Sequence, residues 1–272
     1  MGGLGLLMRR RAIQAHPTIS EGGYILSAEK GDAEVFRILL SKGVSSDGIG
    51  ITKDDAAKVV SIDYWFRENK AIVDFDEFKY FASVTSLKGI PEYGAFTNCD
   101  ALTRITLPES LTDIGSLSFK GCINLNTINL ERVVIVGGTA FQNTGLSGTI
   151  VLQEAEQIGG SAFADNNHLV KVFAKKTRSI GGYCFSSDTL LEVADIGMAE
   201  TIGDFAFYNC GNLKSVILRT ATPPKMGILV FYGAGTFTIY VPDNAIDVYK
   251  SADGWSGMAN QMKPLSEYVE SL

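Results

Sequence analysis

Cys99, Cys122, Cys184 and Cys210 are the side chains of this 272-residue chain best suited to holding a metal or exchanging electrons. No Cys-x-x-Cys pair occurs among them, so their spacing offers no zinc hairpin. Acid–base chemistry is no better served. The two histidines, His16 and His168, lie far from any Gly-x-Ser-x-Gly elbow on which a nucleophilic serine would stand. No Gly-x-x-x-x-Gly-Lys-Ser/Thr loop is present to cradle a phosphate. The 30 Asp and Glu residues could pair anywhere, and nothing in their spacing separates them from a solvated surface. The sequence therefore nominates no catalytic residue, no cofactor and no metal ligand, and a hydrolase is the weakest reading of it. What remains is recognition by side chains that do not react.

A repeat positions those side chains. Phe96, Phe119, Phe141, Phe163, Phe185 and Phe207 follow one another at intervals of 23, 22, 22, 22 and 22 residues. From Phe119 on, each stands five residues after an Ile or Val that is itself followed by Gly, as Ile158-Gly159 precedes Phe163. Met226-Gly227 and Phe231 make a seventh copy. A fixed period of about 20–30 residues predicts a solenoid, because one such unit cannot bury its apolar face alone and must stack on its neighbours. Six residues beyond each Phe comes Leu, then apolar residues nine and eleven beyond it, as in Leu102, Ile105 and Leu107 or Leu213, Val216 and Leu218. The alternation predicts a short strand with one buried face, so each coil adds a parallel rung, and six rungs make a ribbon of about 30 Å. The Gly after each Ile is expected to turn the chain through a backbone conformation closed to residues with a Cβ. The third unit departs from the pattern, since Thr144-Gly145-Leu146 brings its Leu one residue early, and Ala194 replaces the central aliphatic of the fifth. Those two rungs are expected to be the looser ones.

With the repeat fixed, the candidate residues take their places. Cys99, Cys122 and Cys210 fall three residues after Phe, where other units carry Thr144, Asn166 and Asp188, and Cys184 takes the small slot before Phe. Buried structural thiols are the better reading. Cys99 and Cys122 also occupy equivalent slots on adjacent rungs, at a separation that a disulfide tolerates, and that bridge stays open. In the strands, residues flanking the buried Ile or Val must face outwards. One outward column reads Arg104, Thr127, Thr149, Lys171, Val193, Ser215, and the next Thr106, Asn129, Val151, Phe173, Asp195, Ile217. Thr149 and Ser215 aside, these are the candidate partner-binding residues. Val151, Phe173, Val193 and Ile217 are apolar where water is expected, beside Arg104, Lys171 and Asp195, and a protein-binding patch has that make-up. Two plainer readings compete: β-branched residues suit strands, or a second copy of the chain covers them.

Unit by unit, the chain resembles the BspA-like leucine-rich repeat family, whose units read Ala-Phe-x-x-Cys-x-x-Leu-x-x-Ile-x-Leu-Pro followed by Ile-Gly. The run from Ala95-Phe96 through Cys99, Leu102 and Ile105 to Leu107-Pro108 fits throughout, and that from Ala206-Phe207 to Leu218 fits nearly as well, within a match over about 84–250. The resemblance implies an α/β-type repeat solenoid: a right-handed leucine-rich repeat solenoid with parallel β-rungs, mainly strand and loop, closed by small caps. It also implies a non-enzymatic, adhesion-like module that binds a protein, a host surface component or a glycan at the bacterial cell surface or outside the cell. The N-terminus does not fit secretion, because Arg9, Arg10 and Arg11 follow a short apolar run where a secretory signal carries its charges first. The alternative is a structural or accessory component of a larger assembly, such as a phage particle.

The remaining segments frame the repeats. Residues 1–28, with Pro17 and Gly22-Gly23, are expected to be a flexible leader. Residues 29–83 read as a helical N-terminal cap. Val35, Phe36, Leu39 and Leu40 recur at helical spacing before Gly43, Thr52 caps a second helix with Ala56, Ala57, Val59 and Val60 on its buried side, and Phe75, Phe78 and Phe81 share one face of a third. The first two helices and their loop resemble a worn EF-hand, but the ligand positions fall on Val44, Ser46 and Gly48, which supply no carboxylate, so the hairpin reads as structural. The solenoid should occupy 84–236 and a strand-and-helix cap 237–272, with Asp243 starting the helix and Trp255 and Met262 over the last rung. A net charge of -6 disfavours nucleic acid and anionic membrane as partners. No apolar run reaches the ~18 residues that a membrane span needs.

Overall fold

Each coil of the chain meets the next in three places, and together they make a parallel-strand β-solenoid of about seven turns, mostly strand and loop. The computed structural model describes residues 23–88 and 92–269. The first meeting place is the Ile-Gly pair. Seven two-residue strands, from Ser86–Leu87 through Gln157–Ile158 to Lys225–Met226, form one parallel ladder in which Ile158 lies beside Val136 and Ile180. The glycine that follows is not there for a left-handed turn, since Gly115, Gly137, Gly159, Gly181 and Gly203 have no positive φ. Close approach is the reason: a Cβ on Gly159 would stand 2.5 Å from the backbone nitrogen of Gly138 on the preceding coil.

The second meeting place is the turn around each Phe. The N–H groups of Ser161, Phe163 and Asp165 donate to the carbonyls of Gly182, Cys184 and Ser186 on the next coil at 2.8, 2.9 and 3.0 Å, and neighbouring coils repeat the pattern. Such a turn requires the left-handed region two residues before and two after the Phe, as in Ser161 (φ 54) and Asp165 (φ 64). Inside it the rings from Phe96 to Phe231 stand in single file, fully buried up to Phe207, with centroids 5.2 to 5.6 Å apart. Phe66 extends the file below Phe96 at 5.2 Å. Its 30-residue offset from Phe96 breaks the period and hides it in the sequence.

The third meeting place is the strand that carries the outward columns, and here the expected continuous ribbon is divided. Asp74–Phe75, Arg104–Ile105 and Thr127–Ile128 form one short ladder. Ser147–Val151, His168–Phe173, Val193–Asp195, Ser215–Ile217, Thr238–Val241 and Met262–Pro264 form another. The division falls at the third unit, where the early Leu146 offsets the strand from the one before. The Ala194 rung, also expected to be loose, pairs on both sides.

The caps follow local rules with some corrections. Helix Ala33–Ser41 is capped by Asp32, and helix Lys53–Ala57 by a capping box of Thr52 and Asp55. The second helix ends before Val59 and Val60, and Val60 is exposed rather than buried. Phe75, Phe78 and Phe81 are all buried around a 3₁₀ turn, Asp76–Tyr80, in which side chains three apart eclipse. Of the leader, residues 1–22 lie outside the described residues, and Leu26–Ser27 pairs antiparallel with Gly50–Ile51, so the cap begins before residue 29. Asp243 does not cap the last helix, Ile246–Ser251; its carboxylate accepts the N–H and hydroxyl of Ser266 instead. Trp255 is buried and donates its indole N–H to the Pro224 carbonyl at 2.8 Å. No helix among the described residues is long and apolar enough to cross a membrane.

Candidate recognition surface

The strand register brings part of the candidate set together. Lys171 lies between Thr149 and Val193 in one column, and Phe173 between Val151 and Asp195 in the next. Arg104 and Thr127 are neighbours in the other ladder, so they belong to a separate patch together with Thr106 and Asn129. That patch is occupied by structural bonds. The Arg104 guanidinium pairs with Asp74 and, at 2.8 Å, with Asp76, whose carboxylate also accepts the Thr106 hydroxyl. Asn129 bridges both backbone groups of Leu107.

Three of the residues expected at the surface are buried. Asp195 is fully enclosed, accepting from the Arg219 guanidinium and from the Gly197 N–H. Val193 and Ile217 are also buried, although they lie outside the main core. Alternation puts them on the outer face, and the neighbouring rungs then cover them: Lys171 flanks Val193, while Tyr240 flanks Ile217 with the Tyr268 ring packed on it at 5.0 Å. Long side chains on rungs ~4.8 Å apart can shield a small apolar neighbour with their stems.

The apolar candidates that stay accessible are Val151, 44% exposed, and the half-buried Phe173. Between them opens a groove of about 460 Å³ lined also by Gln153, Lys175 and Lys176. The Lys175 ammonium lies 5.6 Å from the Phe173 ring centre, within cation–π range, and Lys176 pairs with Glu154 on the preceding coil. A second cleft of about 140 Å³ adjoins it through Val151, at the division between the two ladders, where Ile128, Leu146 and Ile150 come to its walls. The arrangement can hold an apolar group and an anion side by side.

The polar groups inside the solenoid are structural. All four cysteines are free and buried, so Cys99 and Cys122 are not bridged. Cys99, Cys122 and Cys210 instead donate their thiols to the carbonyls of Phe66, Phe96 and Phe185, each on the preceding coil, at 3.0 Å. Burial pushes the thiols of Cys122, Cys184 and Cys210 up, away from the reactive thiolate. Asn166 fills the same slot and donates to Phe141 at 2.8 Å. Asp188 fills it one coil later, fully buried, with Oδ1 accepting the Asn166 N–H at 2.7 Å and Oδ2 unpartnered; burial raises its carboxyl well above the usual range. Among the described residues no group of three or more His, Cys, Asp or Glu could hold a metal ion.

One surface was missed by the sequence reading. From Phe119 to Phe231, the left-handed position two residues before the Phe carries Leu117, Thr139, Ser161, Tyr183, Phe205 and Leu229. Bulky and β-branched residues are outliers there, at a cost of about 1–2 kcal/mol each. Tyr183 stacks on Phe205 at 4.8 Å and Tyr208 on Tyr232 at 5.6 Å, with Phe205 edge-on to Tyr208. The spacing from the spine would have found this column, had the left-handed requirement of the turn been known.

The sequence profile described as "BspA type Leucine rich repeat region" matches residues 88–214 and 197–252, in six copies. A crystal structure of a leucine-rich repeat protein from Bacteroides ovatus ATCC 8483 is similar at 18% identity and a TM-score of 0.34, covering 62% of this chain and 58% of its own. The pneumococcal vaccine antigen PcpA is similar at 15% identity and a TM-score of 0.27, covering 77% of this chain and 76% of its own. The chain thus spans less than two thirds of the first of these structures. No curated protein matches the chain.

Proposed function

The chain belongs to the BspA-type leucine-rich repeat family, and from that premise we propose that it is a non-catalytic interaction module whose strand-face groove takes an extended, acidic segment of a partner protein. The observation that carries this reading is the groove at Val151 and Phe173, an apolar floor left open on a face where Val193 and Ile217 are covered. Lys171, Lys175 and Lys176 surround Phe173, in a chain whose net charge is -6. An acidic segment with an aromatic or aliphatic anchor matches both features, the anchor supplying burial and the lysines steering and register. Adhesion-like display at a cell surface is consistent with such a module.

Fluorescence polarisation with two sets of ten-residue peptides tests the reading, one set acidic and one basic, each with a central Phe or Leu. The intact chain should bind acidic members, more weakly at high salt, and Phe173→Asp should lower that affinity at least tenfold while leaving the fold intact. Equal binding of the two sets, or undiminished binding by Phe173→Asp, would refute it.

A further inference from the structure

The strained aromatic column on the turn side of the coils is a second surface, distinct from the strand-face groove. In the column two residues before the spine Phe, Ser161 meets the left-handed requirement at φ 54 with a small side chain, and the next two coils meet it with Tyr183 at φ 57 and Phe205 at φ 58. Backbone strain held by large side chains concentrates where those side chains have a task. The rings stack along the solenoid axis, Tyr183 on Phe205, and the coil before Tyr183 offers only Ser161 to cover its other face. Tyr183 is accordingly 46% exposed. In the column one residue after the spine Phe the same step occurs, from Ser186 to Tyr208 stacked on Tyr232, and Tyr232 is 59% exposed. Two flat ledges one coil apart result, joined by the edge-on contact of Phe205 with Tyr208.

The charge around these ledges selects the ligand. The four turn segments 159–168, 181–190, 203–212 and 227–236 contain no Lys, Arg or Glu, in a chain with 24 Lys and Arg. Of their three acids only Asp188 is buried, while Asp165 and Asp204 stay at the surface. Asp188 is inside, Asp165 accepts from the Gln142 amide, and Asp204 accepts the Ile228 N–H at 2.9 Å. An acidic partner finds no complementary charge in these segments. A neutral ligand with one apolar face and a rim of hydroxyls finds both of its needs: aromatic faces to lie on, and, in the same turn segments, the polar side chains of Ser161, Ser187, Asn209 and the tyrosines, with the carboxylates of Asp165 and Asp204 as further acceptors. That is the chemistry of an uncharged sugar ring, whose C–H face packs on an aromatic ring as other apolar groups do. We propose that the Tyr183–Phe205 and Tyr208–Tyr232 ledges bind a neutral glycan.

Affinity electrophoresis of the full chain in gels containing a neutral β-glucan, xylan or galactomannan, or an acidic polygalacturonate, tests this. At least one neutral polysaccharide should retard the chain. The double variant Tyr183→Ser with Phe205→Ser, which restores the small side chain that Ser161 already has in this column, should weaken the retardation at least tenfold while its melting temperature stays level or rises. Phe173→Asp should be retarded like the original chain, which separates failure of this site from failure of the strand-face groove. No retardation by any neutral polysaccharide, retardation by polygalacturonate alone, or undiminished retardation of the double variant would each overturn the proposal. So would sedimentation showing a concentration-dependent dimer that the double variant loses, which would assign the ledges to a second copy of the chain.

Discussion

Replacing Asp188 by Asn should stabilise the protein, and the gain should grow with pH. Asp188 fills the slot three residues after a spine Phe, where the other occupants include hydrogen-bond donors: thiols at Cys122 and Cys210, an amide at Asn166. Each of these donates to the Phe carbonyl one coil back. At Asp188, Oδ1 accepts the Asn166 N–H and Oδ2 lacks a partner, while the Phe163 carbonyl one coil back already accepts the Asn166 amide. Only a protonated carboxyl can donate from that slot, and burial favours the protonated form by raising its pKa. The sign follows from linkage. A carboxyl whose folded pKa is raised binds more protons in the native than in the unfolded state, so stability falls as pH rises from the unfolded value near 4 towards the folded one. The loss approaches roughly 1.4 kcal/mol for each pH unit between those two values. The amide introduced by Asp188→Asn would keep the acceptor for Asn166 and supply a permanent donor without titrating. Urea unfolding of both proteins at several pH values from 4 to 7 measures the difference directly, and titrations elsewhere in the chain cancel between them. A difference that does not change with pH, or an Asp188→Asn variant less stable at pH 7, would refute the reasoning.

Two further substitutions probe the contacts between coils. Phe163→Ala removes a fully buried ring stacked between Phe141 and Phe185 and should cost about 3–5 kcal/mol by urea unfolding, whereas Phe173→Asp on the strand face should leave the melting temperature nearly unchanged. Gly159→Ala should destabilise although its φ is not left-handed, because the new methyl meets the Gly138 backbone; thermal unfolding equal to that of the original chain would show that the coils can part there without penalty.

What could be read from the sequence was what repeats. The 22-residue interval between phenylalanines fixed the spine, and the Leu-x-x-Ile-x-Leu phrase fixed the register, so Lys171 beside Val193 and Phe173 beside Val151 were legible before any coordinates. Burial of Val193, Asp195 and Ile217 was not, because alternation along one strand says which face a residue takes and nothing of what Lys171, Arg219 or Tyr240 on neighbouring coils lays beside it. The Ile-Gly glycines were read as turn residues because their type is compatible with two causes, and only the distance to the neighbouring coil separates them. The second left-handed column, after each Phe, was written openly in Asn98, Gly121, Asn143, Asp165, Ser187, Asn209 and Gly233, residues that tolerate that conformation. The column before each Phe was hidden, because Leu117, Tyr183 and Phe205 contradict the conformation they adopt.

Those contradictions bear on function. A repeat lattice asks the same thing of every coil, so a residue that suits the lattice says little about binding. Leu146 arrives one residue early, the strand ladder divides, and the cleft that results adjoins the groove at Val151 and Phe173. Tyr183 and Phe205 occupy a position that Ser161 fills with less strain, and they leave aromatic faces towards solvent. Local conflict with the fold is expected at functional sites and is otherwise removed. In this solenoid the two surfaces nominated for binding are two places where the sequence departs from its own repeat, and the rungs that keep the repeat hold them in position.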